Sequence, residues 1–336
     1  MVIILGIESS CDDTSASIIK KNKVLSNVIF SQKKIHKQYN GVVPDLASKF
    51  HHKKIIRVVD IAIKKSKINT KYINAIAFSY CPGMIGSLLI ASSFSKSFSM
   101  SYNIPLIGVN HIKAHILAHF IKNKNDYYPS FPFLCLTSSG GHTNIVIVKD
   151  FLNMETIGKT IDDSAGELID KSAIILGLGY PGGQIIEKCA KKGKLKFYFN
   201  IPKVKDLNFS FSGLKTNFKY FIQKNKKINK NFIQDELHNL CFSLQETIIK
   251  IFIEKIKKSV KKTNIKNIAF SGGLSRNIFF KKKLFIESKK NNWKLFFLEN
   301  QYTTDNAAMI AIHGYYKYIY GKISSLDIIP CTNSYF

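Results

Sequence analysis

Arginine is almost absent from this 336-residue chain: of its 50 basic residues, only Arg57 and Arg276 are arginines. The lysine excess gives a formal net charge of +28, and clustered cations gain affinity for a phosphate backbone by releasing counterions. The skew towards lysine, asparagine, isoleucine and phenylalanine is also what an AT-rich coding sequence produces, so part of this charge is expected on solvated faces. We expect an acidic macromolecular partner, with the lysine runs at residues 255–262 and 281–283 as candidate contacts.

Closely spaced cysteines and long apolar runs are absent from the sequence as well. The six cysteines lie far apart without Cys-x-x-Cys spacing, which argues against a disulfide framework and a thiolate zinc site. No apolar run approaches the ~20 residues that cross a bilayer. The chain begins directly with a strand-like stretch at residues 1–6 and has no basic leader. We therefore expect a cytoplasmic protein with reduced thiols and no membrane partner.

A glutamate is missing from the most informative motif, a pair of histidines four residues apart. His111 and His115 lie in a predicted helix, so both imidazoles project from one face and can bind one metal ion. Ile112 stands where a zinc peptidase carries its general base, which disfavours peptide hydrolysis. Such a pair alone is more often two ordinary histidines. Asp305 begins another predicted helix, where a carboxylate is expected as a cap, and it can also complete a two-histidine, one-carboxylate site for iron(II) or zinc.

Short apolar strands alternate with longer helical segments, which indicates an α/β fold. Strands are predicted at residues 2–7, 15–19, 24–30, 73–79, 106–109, 133–137, 143–148, 266–270 and 294–298. Helices are predicted at residues 44–65, 85–102, 111–121, 165–176, 214–223, 232–261, 276–288 and 305–320.

One pattern, a strand followed by a small polar loop and a second strand, occurs twice, at residues 3–19 and 133–148. The repeat suggests two related lobes that face each other across a cleft and offer backbone N–H donors to an anion. Two ordinary hairpins are the alternative. A further turn, Gly272-Gly273, leads from a strand into a helix and suits the approach of a nucleotide. We predict an N-terminal lobe of residues 1–125 plus 306–336 and a C-terminal lobe of residues 126–305.

Ten short motifs follow one another along nearly the whole chain, at residues 5–14, 41–48, 82–88, 111–115, 139–143, 161–167, 179–183, 209–216, 271–273 with Asn277, and 304–306. In this order they closely resemble the tRNA N6-adenosine threonylcarbamoyltransferase family, once described as glycoprotein endopeptidases. Three positions depart from the family pattern. Asp13 and Asp45 stand where glutamate is usual, and Cys81 stands where glycine is usual.

The resemblance implies the two-lobed fold of actin, the sugar kinases and the heat-shock ATPases, with a duplicated mixed-sheet lobe and an interlobe cleft. It implies transfer of threonylcarbamoyl from threonylcarbamoyl-AMP to N6 of the adenosine at position 37 of tRNAs that read codons beginning with A. The implied partners are tRNA, an inactive paralogue and a small ATPase. The implied metal is Fe(2+), with zinc as the alternative, on His111, His115 and Asp305. The donor is expected against Thr137, Ser138, Ser139, Gly140, Gly141, Asp170, Gly183 and Asn277.

No general base is identified, although Asp12 and Asp13 merit testing. Three other functions remain open. A small-molecule kinase suits the implied fold but leaves the histidine pair unexplained. A metallopeptidase is favoured only by that pair. The third alternative is a non-enzymatic scaffold that uses the cleft as a nucleotide-dependent switch.

Overall fold

The computed structural model describes residues 1–123 and 125–333, which form two compact units. The first comprises Met1–Phe131, Lys149–Met154 and Leu298–Phe336, and the second comprises Pro132–Val148 and Glu155–Phe297. Residues 124 and 334–336, which belong to the predicted lobe of residues 1–125 plus 306–336, lie outside the described residues. Among the described helices, none has the length and apolar character needed to cross a membrane.

The strands are numbered in chain order, and each unit contains five of those described. They are β1 Ile3–Glu8, β2 Asp13–Lys20, β3 Lys23–Ser31, β4 Ala75–Cys81, β5 Leu106–Asn110, β6 Phe133–Ser139, β7 His142–Val148, β8 Met154–Lys159, β9 Asn267–Ser271 and β10 Lys294–Phe297. The α-helices are α1 Lys33–His36, α2 Pro44–Ser66, α3 Ile85–Tyr102, α4 His111–Leu117, α5 Ala165–Ile175, α6 Gly182–Ala190, α7 Ser212–Ile228, α8 Phe232–Thr263, α9 Ile278–Asn291 and α10 Ala307–Ile319.

The sheet of the first unit has the strand order β3-β2-β1-β4-β5. The hairpin β1–β2 is antiparallel, whereas β1, β4 and β5 run parallel to one another. Every residue of β1 is buried, as expected for a central strand covered on both faces. The parallel strands end at one edge of the sheet, which is where α/β folds place their ligands.

The sheet of the second unit repeats this arrangement with the order β8-β7-β6-β9-β10. The hairpin β6–β7 is antiparallel, and β6, β9 and β10 run parallel. In this repeat β6 corresponds to β1 and β9 to β4. The two mixed five-stranded sheets confirm the predicted α/β fold with a duplicated sheet.

Phenylalanine fills much of the core of the second unit. The ring of Phe252 on α8 lies 5.5 Å from that of Phe209, 6.0 Å from that of Phe211 and 5.8 Å from that of Phe280, measured between ring centroids. All four side chains are buried. Each large ring removes 150–250 Å² of surface from water, so this cluster helps to hold α8 and α9 and the chain before α7 together.

Candidate functional site

The histidine pair is presented by α4, which begins directly after β5. The side chain of Asn110 caps this helix by accepting a hydrogen bond from the backbone N–H of Lys113 at 3.0 Å. His111 and His115 therefore lie one turn apart on one face, with ring centroids separated by 4.7 Å. This arrangement agrees with the prediction from the helical spacing, and both side chains are buried.

Asp305 is brought to the histidines by the close packing of α10 on β1. A Cβ atom on Gly6 would lie 2.5 Å from the carbonyl oxygen of Ala307 and 2.7 Å from the backbone nitrogen of Ala311. Glycine is therefore required at this position of β1, because backbone atoms of α10 cannot yield to a side chain. The backbone N–H of Ala307 also donates to Ser15 Oγ at 2.9 Å, which fixes the start of the helix.

The expectation that Asp305 caps its helix is wrong. Asn306 is the cap of α10, and its Oδ1 accepts from the backbone N–H of Met309 at 3.1 Å. Asparagine caps a helix as well as aspartate does, so the sequence alone did not separate the two neighbours. The carboxylate of Asp305 is left to face the histidines.

Three side chains converge where the sequence predicted a metal. Asp305 Oδ1 lies 3.1 Å from His115 Nε2 and 3.5 Å from His111 Nε2, and one donor atom from each residue falls within 4.8 Å of the others. Two imidazole nitrogens and one carboxylate oxygen form a donor set for zinc or iron(II) that leaves coordination positions open. The residues fit such an ion.

Glu8 is a fourth member of this cluster and was missed by the sequence reasoning. Its Oε2 lies 2.9 Å from His111 Nδ1, and its Oε1 accepts from the backbone N–H of Ser10 at 2.5 Å. Its side chain is fully buried. A carboxylate on the second ring nitrogen fixes the tautomer that leaves Nε2 available to a metal. The available signal in the sequence was that Glu8 is the charged last residue of the otherwise apolar strand β1. Because parallel strands end at one edge of the sheet, such a residue lies close to the residues that follow β4 and β5.

Opposing effects set the charges of the three converging groups. Burial lowers the pKa of His111, but the charges of Glu8 and Asp305 outweigh it and raise this pKa to about 10. For His115, burial prevails and lowers the pKa. Burial would raise the pKa of Asp305, yet the two histidines lower it well below its ordinary value. Without a metal, these three groups are thus one imidazolium, one neutral imidazole and one carboxylate.

Asp12 and Asp13, which the sequence marked for testing, occupy the buried hairpin between β1 and β2. Burial is the main cause that raises the pKa of both carboxyls, that of Asp13 to about 6, and the charge of Asp305 adds to it. Lys33 forms an ion pair with Asp13, with Nζ 3.7 Å from Oδ2. A carboxyl that titrates near neutral pH is suited to proton transfer.

The predicted donor-binding residues all lie in the second unit. Thr137, Ser138 and Ser139 end β6, and Gly140 and Gly141 form the turn into β7, with Gly140 at φ +39°. A Cβ atom on Gly272, which follows β9 at φ +86°, would lie 2.0 Å from the carbonyl oxygen of Ser138. The two glycine loops are therefore neighbours, and the approach demands glycine.

Asp170, Gly183 and Asn277 come together around the start of α6. Asp170 Oδ1 accepts from the backbone N–H of Gly182 at 2.7 Å. Gly183 and Asn277 line one small pocket together with Ile169, Ile186, Gln245, Ile248, Ile249 and Leu274. No heavy atom of the described residues lies within 4 Å of a Cβ built on Gly183, so this position is open to a ligand.

Gln245 is a second residue that the sequence reasoning missed. Its Oε1 accepts from Asn277 Nδ2 at 2.8 Å, while Asn277 Oδ1 caps α9 through the backbone N–H of Phe280 at 2.9 Å. These two bonds fix the orientation of the Asn277 amide. An amide in the buried face of the long helix α8 was the signal, because buried polar groups need a partner.

Two mixed sheets of identical strand order define the class of fold shared by actin, the sugar kinases and the heat-shock ATPases. HypF of T. kodakarensis superimposes with a TM-score of 0.60 at 14% identity, covering 95% of this chain and 48% of that chain. The ROK hexokinase from Thermus thermophilus gives a TM-score of 0.53 at 14% identity, covering 95% and 100%. At such identity the likeness shows the fold alone.

Sequence comparison gives the family. The family model described as "TsaD: tRNA N6-adenosine threonylcarbamoyltransferase" matches residues 23–312. A relative named tRNA N6-adenosine threonylcarbamoyltransferase, from Christiangramia forsetii, is 52% identical over 317 residues, which are 94% of this chain and 93% of the relative. The chain therefore belongs to this family of transferases, and the resemblance drawn from the ten motifs is confirmed.

Proposed function

We propose that this protein transfers the threonylcarbamoyl group of threonylcarbamoyl-AMP to N6 of the adenosine at position 37 of tRNAs that read codons beginning with A. The observation that carries the proposal is the convergence of His111, His115 and Asp305 in a chain of this family. The proposed partners are tRNA, an inactive paralogue and a small ATPase. Because the acceptor is tRNA, we place the protein in the cytoplasm.

His111, His115 and Asp305 would hold one divalent ion, Fe(2+) in our proposal and zinc as the alternative. A divalent ion held there would supply Lewis acidity. Glu8 holds the His111 ring through Nδ1, so that Nε2 faces Asp305. The burial of both histidines excludes water from one side of the ligand set.

Thr137, Ser138, Ser139, Gly140, Gly141, Asp170, Gly183 and Asn277 are the proposed donor-binding residues. Gly140 is exposed in the turn between β6 and β7, and Gly272 follows β9 beside it; in our proposal the backbone N–H groups of these turns bind the anionic phosphate. The Asn277 amide is held in place by Gln245. These residues bind and orient the adenylate, whose phosphate is the leaving group.

The exocyclic amine of adenosine is a weak nucleophile because its lone pair is delocalised into the purine ring. Acceleration must therefore come mainly from positioning the amine against the carbamoyl carbon and from activation of the donor. The amine loses a proton as the new C–N bond forms. Asp13, with its pKa raised to about 6, is a candidate acceptor of that proton.

The test is reconstitution of the purified chain with a tRNA transcript, threonylcarbamoyl-AMP and Fe(2+) under anaerobic conditions, with and without the companion proteins. Modified nucleoside is measured by mass spectrometry after digestion of the tRNA. We expect modification by the unaltered chain and its loss, together with loss of bound metal, in His115→Ala.

His52→Ala is the matched control, because His52 is an exposed histidine on the surface of α2 and should retain full activity. Full modification by metal-free His115→Ala protein would refute the proposal. Consumption of ATP with a sugar and no change in tRNA would support the kinase alternative instead.

A further inference from the structure

Helix α7 presents two contrasting faces. Leu214, Phe218 and Ile222, spaced four residues apart, are buried in the core of the second unit. The opposite face consists of Lys219, Tyr220, Gln223, Lys224 and Lys227, which are all exposed. We call these five residues the α7 face. At 1.5 Å per residue its lysines span about 12 Å along the helix axis.

The charge of the α7 face is uncompensated. Helix α7 contains no acidic residue, and within the described part of the chain Lys219, Lys224 and Lys227 form no ion pair. Lys215 on the first turn of the same helix, in contrast, contacts Asp163. On helices α8 and α9, Lys257 and Lys283 have carboxylate partners at 2.6 Å and 2.7 Å. The C-terminal end of the helix dipole favours lysine in the last turn, which accounts for Lys227 but not for Lys219 or Lys224.

An aromatic ring lies among these lysines. Tyr220 is 65% exposed and shares an open stretch of the α7 surface with Asn217, Phe221, Gln223, Lys224, Lys226 and Lys227. A second tyrosine, Tyr198, is 82% exposed. It lies between Phe197 and Phe199, whose rings contact that of Phe221 on α7 at 5.2 Å and 5.5 Å. Tyr220 thus lies among the lysines, and Tyr198 belongs to a segment that packs against α7.

We propose that the α7 face binds the backbone of tRNA, with Tyr220 stacking on an unpaired base. Lysines without carboxylate partners favour a polyanion, because each phosphate they neutralise releases a counterion. Exposed aromatic rings beside lysine are the platform that single-stranded nucleic acid uses. A membrane surface is disfavoured, since Ile228 at the end of α7 is the one exposed aliphatic side chain among the leucine and isoleucine residues of this helix, whereas helices that lie on membranes carry an extended apolar face. This inference rests on the proposed function, which supplies tRNA as the acceptor.

The test is equilibrium binding of a fluorescently labelled tRNA transcript to the full chain, titrated at several salt concentrations without donor or metal. The variant is K219Q/K224Q/K227Q. The matched control is K289Q/K290Q/K294Q, which removes the same charge from exposed positions at the end of α9 and the start of β10, outside the two lysine runs singled out from the sequence. The α7 variant should bind roughly tenfold or more weakly at about 0.1 M salt, and its slope of log K against log salt should fall by about 2. The control should show a much smaller change.

The stacking part is tested by Tyr220→Ala, which should weaken binding about 5- to 150-fold, whereas Tyr220→Phe should retain it. Thermal unfolding checks that each variant is folded. Equal losses in the two triple variants, or no tRNA binding by the unaltered chain, would overturn the inference. The inference would also be overturned if the K219Q/K224Q/K227Q variant kept its affinity for tRNA but no longer bound an acidic protein partner. Because the titration needs neither donor nor metal, its outcome is separable from failure of the acyl transfer.

Discussion

Replacing Glu8 with glutamine should weaken metal binding by about 10- to 100-fold without unfolding the chain. The carboxylate accepts from the backbone N–H of Ser10 at 2.5 Å and lies 2.9 Å from His111 Nδ1. Glutamine keeps the shape but offers one acceptor and one donor. If its oxygen accepts from Ser10, its NH₂ group faces Nδ1, and the proton of the imidazole must move to Nε2. That proton then occupies the position where the metal binds.

The magnitude follows from the bond that is lost. A hydrogen bond to a charged group contributes about 1.5–3 kcal/mol, and each 1.4 kcal/mol changes an equilibrium constant tenfold. This range agrees with the ~10- to 100-fold effect usual for partners of metal-bound histidines. Turning the amide over does not help, because the NH₂ group then meets the N–H of Ser10 in a fully buried position.

The assay is calorimetric titration of metal-free protein with Zn²⁺ and, under anaerobic conditions, Fe(2+). Thermal unfolding of the metal-free proteins serves as the control for folding. A Glu8→Gln variant that binds both metals within about twofold of the unaltered chain would show that Glu8 does not orient His111. An equal loss of affinity in an exposed variant such as His52→Ala would point to a defect of the preparation.

Three further predictions concern stability. Gly6→Ala should destabilise the chain by about 1–3 kcal/mol and lower metal affinity, because the new Cβ meets backbone of α10 at 2.5 Å; urea unfolding and metal titration measure both, and unchanged affinity would contradict the packing argument. Asp13→Asn should raise the free energy of unfolding by up to ~3 kcal/mol at pH 7.5 and by less than ~1 kcal/mol at pH 4. The pKa of Asp13 is raised from 3.8 to about 6, so the native state prefers the protonated carboxyl and loses stability as pH rises through these values; equal gains at both pH values would refute this. Phe252→Ala should cost about 3–5 kcal/mol in urea unfolding while metal affinity of the folded protein stays unchanged, since the ring lies in the core of the second unit.

Local patterns were the parts of the fold that the sequence predicted well. Helix α3 begins and ends at the predicted residues, and the predicted strands lie within a few residues of those observed. Strand β8 was missed because its exposed, mixed sequence gives no clear alternation. Helix α6 was missed because it begins with two glycines, which have low helix propensity. Tertiary contacts override such weak local preferences.

The candidate site also contains residues that a local sequence pattern reveals and residues that it does not. The histidine pair is visible in sequence because a spacing of four residues places both rings on one helix face. Asp305 joins them across 190 residues, and no local pattern selects it over Asn306; it was assigned through the family resemblance. Glu8, 103 residues from His111, escaped notice because its role depends on which strand ends become neighbours.

The duplicated sheet provides one framework for the two kinds of binding that we propose. In the first unit, a Cβ on Gly83, after β4, would lie 2.7 Å from the carbonyl oxygen of Ser10, after β1. In the second unit, Gly272 after β9 makes the equivalent approach to Ser138 at the end of β6. Both repeats thus bring the same two loops together through a glycine, and the side chains beside them decide the chemistry.

In the first unit the loop is filled. Glu8 is the last residue of β1, and its carboxylate lies against both the backbone N–H of Ser10 and the ring of His111. The region after β1 is therefore occupied by side chains suited to a cation. In the second unit the equivalent loops consist of glycines, and no described heavy atom lies within 4 Å of a Cβ built on Gly140 or Gly273. That space is open, and the backbone N–H groups of glycine loops suit an anionic ligand. A side chain introduced at Gly273, as in Gly273→Val, should therefore weaken adenylate binding while leaving metal affinity unchanged.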